Sequence, residues 1–170
     1  MVKVKKSWDE FHKDVMGLVP GIMDFAPDMI VPCLRGAMVP ATIIAEELNT
    51  LEIYPMDVER LGIQRELAFL YMPKLSFLGK RILILEDDMY TAQGVLRAKE
   101  FLESQGAIVK IAAVYVTRES VRHADFYFKS FEFEDMPDYP WKPTRNGDRL
   151  RNKEGVLLSF NERVTKNSFE

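Results

Sequence analysis

Three consecutive acids, Glu86-Asp87-Asp88, follow directly on the run Arg81-Ile82-Leu83-Ile84-Leu85. Carboxylates crowded at the end of a buried strand repel one another unless a cation or a set of ligand hydroxyls satisfies them. The next residues, Tyr90-Thr91-Ala92-Gln93-Gly94, lead into a helix and can offer backbone N–H groups and a hydroxyl to a phosphate. A ribose phosphate suits both halves: the carboxylates accept from its 2- and 3-hydroxyls, and the turn cradles its 5-phosphate. The same spacing also fits a plainer arrangement, in which Asp87 or Asp88 caps the helix and the other acids are solvated.

Such a site needs a strand before it and a helix after it. The pattern predicts a strand ending at Leu85 and a helix over 92–105, with Val95, Ala98, Phe101 and Leu102 facing inward and Gly106 as its stop. Strands follow at 108–116 and 126–128. Strand, helix, strand at this spacing is a parallel crossover unit, and open parallel sheets bind ligands beyond the carboxyl ends of their strands. Upstream, Ser7 and Glu10 form a capping box for a helix over 8–18, which Pro20 and Gly21 end. Residues 28–34 read as a short buried strand, although Pro32 argues against a central position in a sheet. Arg35-Gly36 turns into a helix reaching Leu48, with Pro40 in its first turn. Residues 51–54 and 65–71 are further strand candidates, and 55–64 reads as a charged mobile loop. The fold class is therefore α/β: an open, mainly parallel twisted sheet with helices on both faces. All 170 residues make one domain, with 131–160 as a small irregular C-terminal hood.

Composition narrows the function. Hydrophobic residues make up 47% and charged residues 29%, as in ordinary globular proteins. Against 26 acidic side chains stand 23 basic ones, a net charge of -3 that gives no bulk attraction for a polyanion. The basic run Lys142, Arg145, Arg149, Arg151 and Lys153 leaves a nucleic-acid-binding module as a rival reading, but Asp148 and Glu154 offset it and it fits a solvated face. One cysteine and two histidines exclude an internal disulfide and a Cys/His zinc cluster. Cys33 reads as a small core residue. No apolar run approaches the ~20 residues of a membrane helix, and the charged, aromatic start is no signal peptide, so the expected location is cytoplasmic.

The segment from Ile82 to Gly94 resembles the signature of type I phosphoribosyltransferases: a hydrophobic strand, two acids, a few variable residues, then Thr-Gly or Thr-Ala, one residue and a Thr. A second stretch, Val31-Pro32-Cys33-Leu34-Arg35-Gly36-Ala37-Met38-Val39-Pro40-Ala41, is similar to that family's pyrophosphate loop. A looser likeness to the xanthine–guanine branch runs through Val114-Tyr115-Val116-Thr117-Arg118, Ala124-Asp125-Phe126-Tyr127 and Pro140-Trp141. The resemblance implies transfer of a 5-phosphoribosyl group from phosphoribosyl pyrophosphate to a nucleobase, a 6-oxopurine first, with Mg²⁺ as cofactor. It implies Glu86 and Asp87 at the ribose hydroxyls and the metal, Thr91, Ala92, Gln93 and Gly94 at the 5-phosphate, and Arg35, Gly36 and Ala37 at the pyrophosphate. Arg118 would point at a ring oxygen, with Trp141 and Tyr90 against the base. Asp88 is the spare acid, either a proton acceptor or a cap. The stretch around 55–66, with Arg60 and Arg65, would close over the site, and a homo-oligomer such as a dimer is expected.

Three positions depart from the family pattern. Gly94 replaces the final Thr of the phosphate loop, Tyr90 stands where the 6-oxopurine branch has an Asp, and Ala37 replaces a Gly and so requires a negative φ. The first two also fit a catalytically weak, nucleotide-binding regulator of the same fold.

Overall fold

The computed structural model describes residues 5–50, 52–61, 64–69 and 76–141, with backbone alone for 57–61 and 64–69. In chain order the elements are α1 (Trp8–Met16), α2 (Val19–Phe25), β1 (Met29–Pro32), α3 (Met38–Leu48), β2 (Met56–Leu61), β3 (Gln64–Phe69), β4 (Arg81–Met89), α4 (Gln93–Ser104), β5 (Ile108–Thr117) and β6 (Phe126–Phe131).

A four-stranded sheet of order β1-β4-β5-β6, with every neighbour parallel, carries the fold. The near-continuous apolar sequences of β4 and β5 follow from cover on both faces. On one face Val95, Ala98 and Leu102 of α4 bury Ile82, Ile84, Val109 and Ile111. On the other, Phe11, Val15, Ile22 and Ile44 from α1, α2 and α3 bury Leu83, Leu85, Ala112 and Val114. Each fully buried aliphatic side chain contributes roughly 1.5–3 kcal/mol before the entropy of ordering is subtracted. Two aspartates pin the register at the opposite edge from the acid cluster. Asp28 accepts the Arg81 N–H at 2.7 Å and returns its own N–H to the Arg81 carbonyl. Asp125 does the same to Ile111, at 2.8 Å each way.

Several expectations are corrected. The first helix ends at Met16, and Pro20 and Gly21 lie inside a second helix; proline suits its first turn, where no N–H is needed. Gly17 and Gly21 admit the rings of Phe128 and Phe126, which a Cβ at either glycine would crowd. Pro32 does lie between two pairings, β4 on one side and a short stretch around Ile53 on the other. Ile30 and Leu34 both donate toward that outer stretch, so the missing N–H of Pro32 faces it, and the pairing there is only two isolated bridges. The segment taken as a loop instead carries an antiparallel ribbon of β2 and β3, Met56 opposite Phe69 and Leu61 opposite Gln64. β4 does not stop at Leu85 but runs on through the acids to Met89, because Glu86, Asp88 and Met89 pair with Ala113, Tyr115 and Val116.

The first part of the hood packs back on the amino-terminal segment: the Lys6 N–H donates to the Asp138 carbonyl at 2.9 Å, and Met136 and Tyr139 are fully buried. Residues 142–160, with Lys142, Arg145, Arg149, Arg151, Lys153, Leu157, Leu158 and Phe160, lie outside the described residues, as do the side chains of Arg60 and Arg65. Among the described residues no helix is long and apolar enough to cross a membrane.

Candidate active site

The carboxyl ends of β1, β4, β5 and β6 meet along one edge. At the end of β1 the chain turns through Cys33–Ala37, held by the Cys33 N–H on the Leu85 carbonyl (2.8 Å) and the Leu34 N–H on the Met56 carbonyl (2.7 Å). The Leu34–Arg35 peptide is cis. Arg35 projects into solvent, and Ala37 has φ -68°, so the departure from glycine there is sterically free.

Gly36 is where this turn meets the acids. A Cβ on Gly36 would overlap the Asp87 carboxylate, so the two loops touch at a position where any larger residue would have to displace that carboxylate or the turn. Asp87 is 5% exposed. Glu86 lies against the Cys33 thiol. Burial first, then the charge and hydrogen bond of Glu86 and the charge of Asp87, push that thiol well above its ordinary range. Cys33 is therefore a protonated packing residue and no nucleophile.

Downstream of the acids, α4 starts at Gln93 from Ala92, with no side chain capping it. The N-cap position belongs to Ala92, so neither Asp87 nor Asp88 occupies it, and Asp87 is buried. α3 likewise begins without a side-chain cap, whereas α1 carries the full Ser7–Glu10 box. At the start of α3 the Met38 and Val39 N–H groups already donate to the Arg35 and Gly36 carbonyls, at 3.2 and 3.4 Å, and Pro40 has none, so α4 is the helix that turns first-turn donors and the positive end of its dipole to this edge. Thr91 and Gln93 are exposed, and Ala92 and Gly94 are buried.

At the end of β5, Thr117 and Ser120 bond to the Tyr90 and Met89 carbonyls, at 3.0 and 2.6 Å. Sequence reasoning missed this pair. Its signal was the Thr-x-x-Ser spacing, which favours reciprocal side-chain-to-backbone bonds in a turn. Arg118, between them in sequence, reaches Glu132 at 2.9 Å through an exposed side chain. Tyr90 lies edge-on to Phe133, ring centroids 4.9 Å apart, and Phe133 is 59% exposed at the same edge. Phe133 is a second aromatic that the sequence did not place at this edge.

Trp141 is placed differently. Its ring stacks on Tyr139 (4.7 Å) and meets Phe11 (4.6 Å) and Trp8 (5.5 Å), beside α1. Tyr139 in turn stands near the acids: burial, then Asp88 and Asp87, push its hydroxyl far above the usual range. The edge thus assembles Arg35, Gly36, Ala37, Glu86, Asp87, Asp88, Tyr90, Thr91–Gly94 and Arg118, with Trp141 in the aromatic cluster behind.

A parallel sheet that turns an uncapped helix start and a buried carboxylate toward one edge belongs to the class of α/β proteins that handle sugar phosphates and nucleotides there. Residues 7–145 match the phosphoribosyl transferase domain, and the chain belongs to that family; it is an enzyme of the phosphoribosyltransferase class. It is 24% identical over 135 residues to the xanthine-guanine phosphoribosyltransferase of Chromohalobacter salexigens, covering 79% of this chain and 81% of that one. The fold is similar to the purine phosphoribosyltransferase from Pyrococcus horikoshii, with a TM-score of 0.74 at 22% identity, covering 84% and 95% of the two chains. It is also similar to the Helicobacter pylori xanthine-guanine-hypoxanthine phosphoribosyltransferase, with a TM-score of 0.68 at 17% identity, covering 82% and 93%.

Proposed function

We propose that the protein transfers a 5-phosphoribosyl group from phosphoribosyl pyrophosphate to a purine base, a 6-oxopurine first. The contact between Gly36 and Asp87 carries this reading, because it sets the Arg35 turn directly beside the acid pair. A sugar bearing a phosphate at C5 and pyrophosphate at C1 needs both loops within one ligand's reach. In this reading Glu86 and Asp87 accept from the ribose hydroxyls, the amides of Thr91–Gly94 hold the 5-phosphate, and Arg35 with the Gly36 amide holds the departing pyrophosphate, Ala37 shaping that turn through its N–H bond to the Cys33 carbonyl at 3.3 Å. Positive charge at that end favours breaking the C1–O bond while a ring nitrogen of the base bonds to C1.

Glu86 and Asp87 offer hard carboxylate oxygens, and among the described residues no three ligating side chains cluster. That donor set suits Mg²⁺, which needs few protein ligands and takes the rest from water and substrate; bound there, it would neutralise pyrophosphate charge. Arg118, freed from Glu132, faces a ring oxygen in this reading. Tyr90 and Phe133 form the aromatic wall in this reading, and Trp141 stacks on Tyr139 beside α1. The β2–β3 ribbon is the proposed cover that excludes water. Asp88 is the remaining carboxylate able to take the base's proton.

The test is pyrophosphate release from phosphoribosyl pyrophosphate and Mg²⁺ with guanine, hypoxanthine, xanthine, adenine and uracil in turn. Release with the oxopurines and little with adenine or uracil is expected. Release with uracil alone would overturn the purine assignment, and tight binding without release for any base would favour a regulatory role, to which Tyr90 and Gly94 lend themselves. Sedimentation velocity reads the proposed self-association.

A further inference from the structure

Two buried hydroxyls hold the strand end from which the loop over 90–94 departs. Thr117 Oγ1 donates to the Tyr90 carbonyl at 3.0 Å and accepts the Ser120 N–H at 3.2 Å. Ser120 Oγ donates to the Met89 carbonyl at 2.6 Å and accepts the Thr117 N–H at 3.1 Å. The two residues are 3% and 2% exposed. Ser120 Oγ is committed to the Met89 carbonyl at the end of β4, while the single Thr117 proton is shared between the Tyr90 carbonyl and Ser120 Oγ, each 3.0 Å away. Replacing either by carbon removes one donor from these carbonyls. In a trans peptide the C=O and N–H of one plane point in opposite directions. Fixing the Met89 and Tyr90 carbonyls toward β5 therefore aims the Tyr90 and Thr91 N–H groups away from it, into the turn that leads to α4. The same two residues bracket Arg118, whose own N–H is held by the Phe131 carbonyl at 3.0 Å.

We propose that Thr117 and Ser120 are positioning residues, a hydroxyl clamp that sets the direction of the phosphate-loop amides and locks them to the Arg118 turn. The proposal rests on the reading of 91–94 as the 5-phosphate loop. A clamp of this kind acts on the phosphate end of the ligand and leaves the Arg35 turn alone.

Calorimetry with phosphoribosyl pyrophosphate and, separately, with inorganic pyrophosphate, both with Mg²⁺, tests it on Thr117→Val, Ser120→Ala and the hydroxyl-keeping Thr117→Ser. Thr117→Val and Ser120→Ala should lose about tenfold in affinity for phosphoribosyl pyrophosphate while pyrophosphate affinity stays within about twofold, and Thr117→Ser should regain most of the loss. Equal losses for both ligands, or a lowered melting temperature with affinity intact, would reduce the pair to a structural role and overturn the clamp. If the wild-type protein does not bind phosphoribosyl pyrophosphate, the functional reading fails on its own. The clamp is then judged by the amide resonances of Tyr90 and Thr91 without ligand, which should move in Thr117→Val and return in Thr117→Ser. Unmoved resonances would refute it. Should Thr117→Val not fold, Thr117→Cys, a weaker donor, carries the same expectation.

Discussion

At position 36 a glycine is required for space and not for backbone freedom. The Asp87 carboxylate fills the volume a methyl group would take. Gly36→Ala must push the carboxylate aside or shift the Arg35 turn, and should lose binding of phosphoribosyl pyrophosphate while circular dichroism shows an unchanged fold. Asp87→Asn keeps the shape and removes the charge. Loss of a charge-assisted hydrogen bond is worth roughly 1.5–3 kcal/mol, so affinity by calorimetry should fall about ten- to a hundredfold. An unchanged affinity in Asp87→Asn would contradict the ribose assignment. The acids and the Arg-Gly step were each legible as residue types. Their contact was not, because β1 and β4 are brought side by side only by the sheet. The Thr117–Ser120 pair was hidden for the same reason: its targets, Met89 and Tyr90, lie on another strand.

Among the elements, those with local causes were read close to their bounds, although Phe101, expected to face inward on α4, is 42% exposed. The β4–α4–β5 crossover follows from apolar runs and a glycine stop, and the α1 cap follows from Ser7 and Glu10, whose two bonds measure 3.2 and 2.8 Å. Ser7→Ala should lower stability by about 1 kcal/mol in thermal or urea unfolding. The bonds from Ser7's backbone and hydroxyl hold the Glu10 carboxyl below its ordinary value. A depressed acid contributes stability above its unfolded pKa and loses it as pH falls through the folded one. The melting-temperature gap between wild type and Glu10→Gln should therefore be present near neutrality and close in acid. Elements with distant causes were misread. The α1–α2 break falls at Gly17, and Gly17 and, within α2, Gly21 lie against β6 rings that the sequence did not place there. The β2–β3 ribbon is made by a pairing that charged, turn-rich composition obscured, and the extension of β4 through three acids is held by β5.

Across the whole molecule, one aromatic column ties the site to the amino terminus. Tyr115 of β5 stacks on Tyr139 (5.6 Å), Tyr139 stacks on Trp141, and Phe11 of α1 stands edge-on to all three. The Tyr115 hydroxyl donates to Asp14, which also pairs with Lys6 at 2.8 Å. The hood's first segment is thereby fastened to α1, and Trp141, which sequence placed against a base, is part of that fastening. Burial is the leading cause that raises both tyrosine hydroxyls; the Asp14 bond comes next for Tyr115, and the charge of Asp88 for Tyr139. Up to pH of about 10, the ordinary tyrosine value, both folded and unfolded chains keep these protons. Above it the unfolded chain releases them and the folded chain does not, so stability must fall as pH rises. Tyr115→Phe and Tyr139→Phe each remove one such group. Each variant should show a shallower decline than wild type in urea unfolding across the alkaline range, although Tyr115→Phe, having lost its bond to a charged partner, starts roughly 1.5–3 kcal/mol lower at neutral pH. Parallel alkaline slopes for all three proteins would mean that the column is open to hydroxide in the folded state, and that the hood does not seal the region where Tyr139 stands near Asp87 and Asp88.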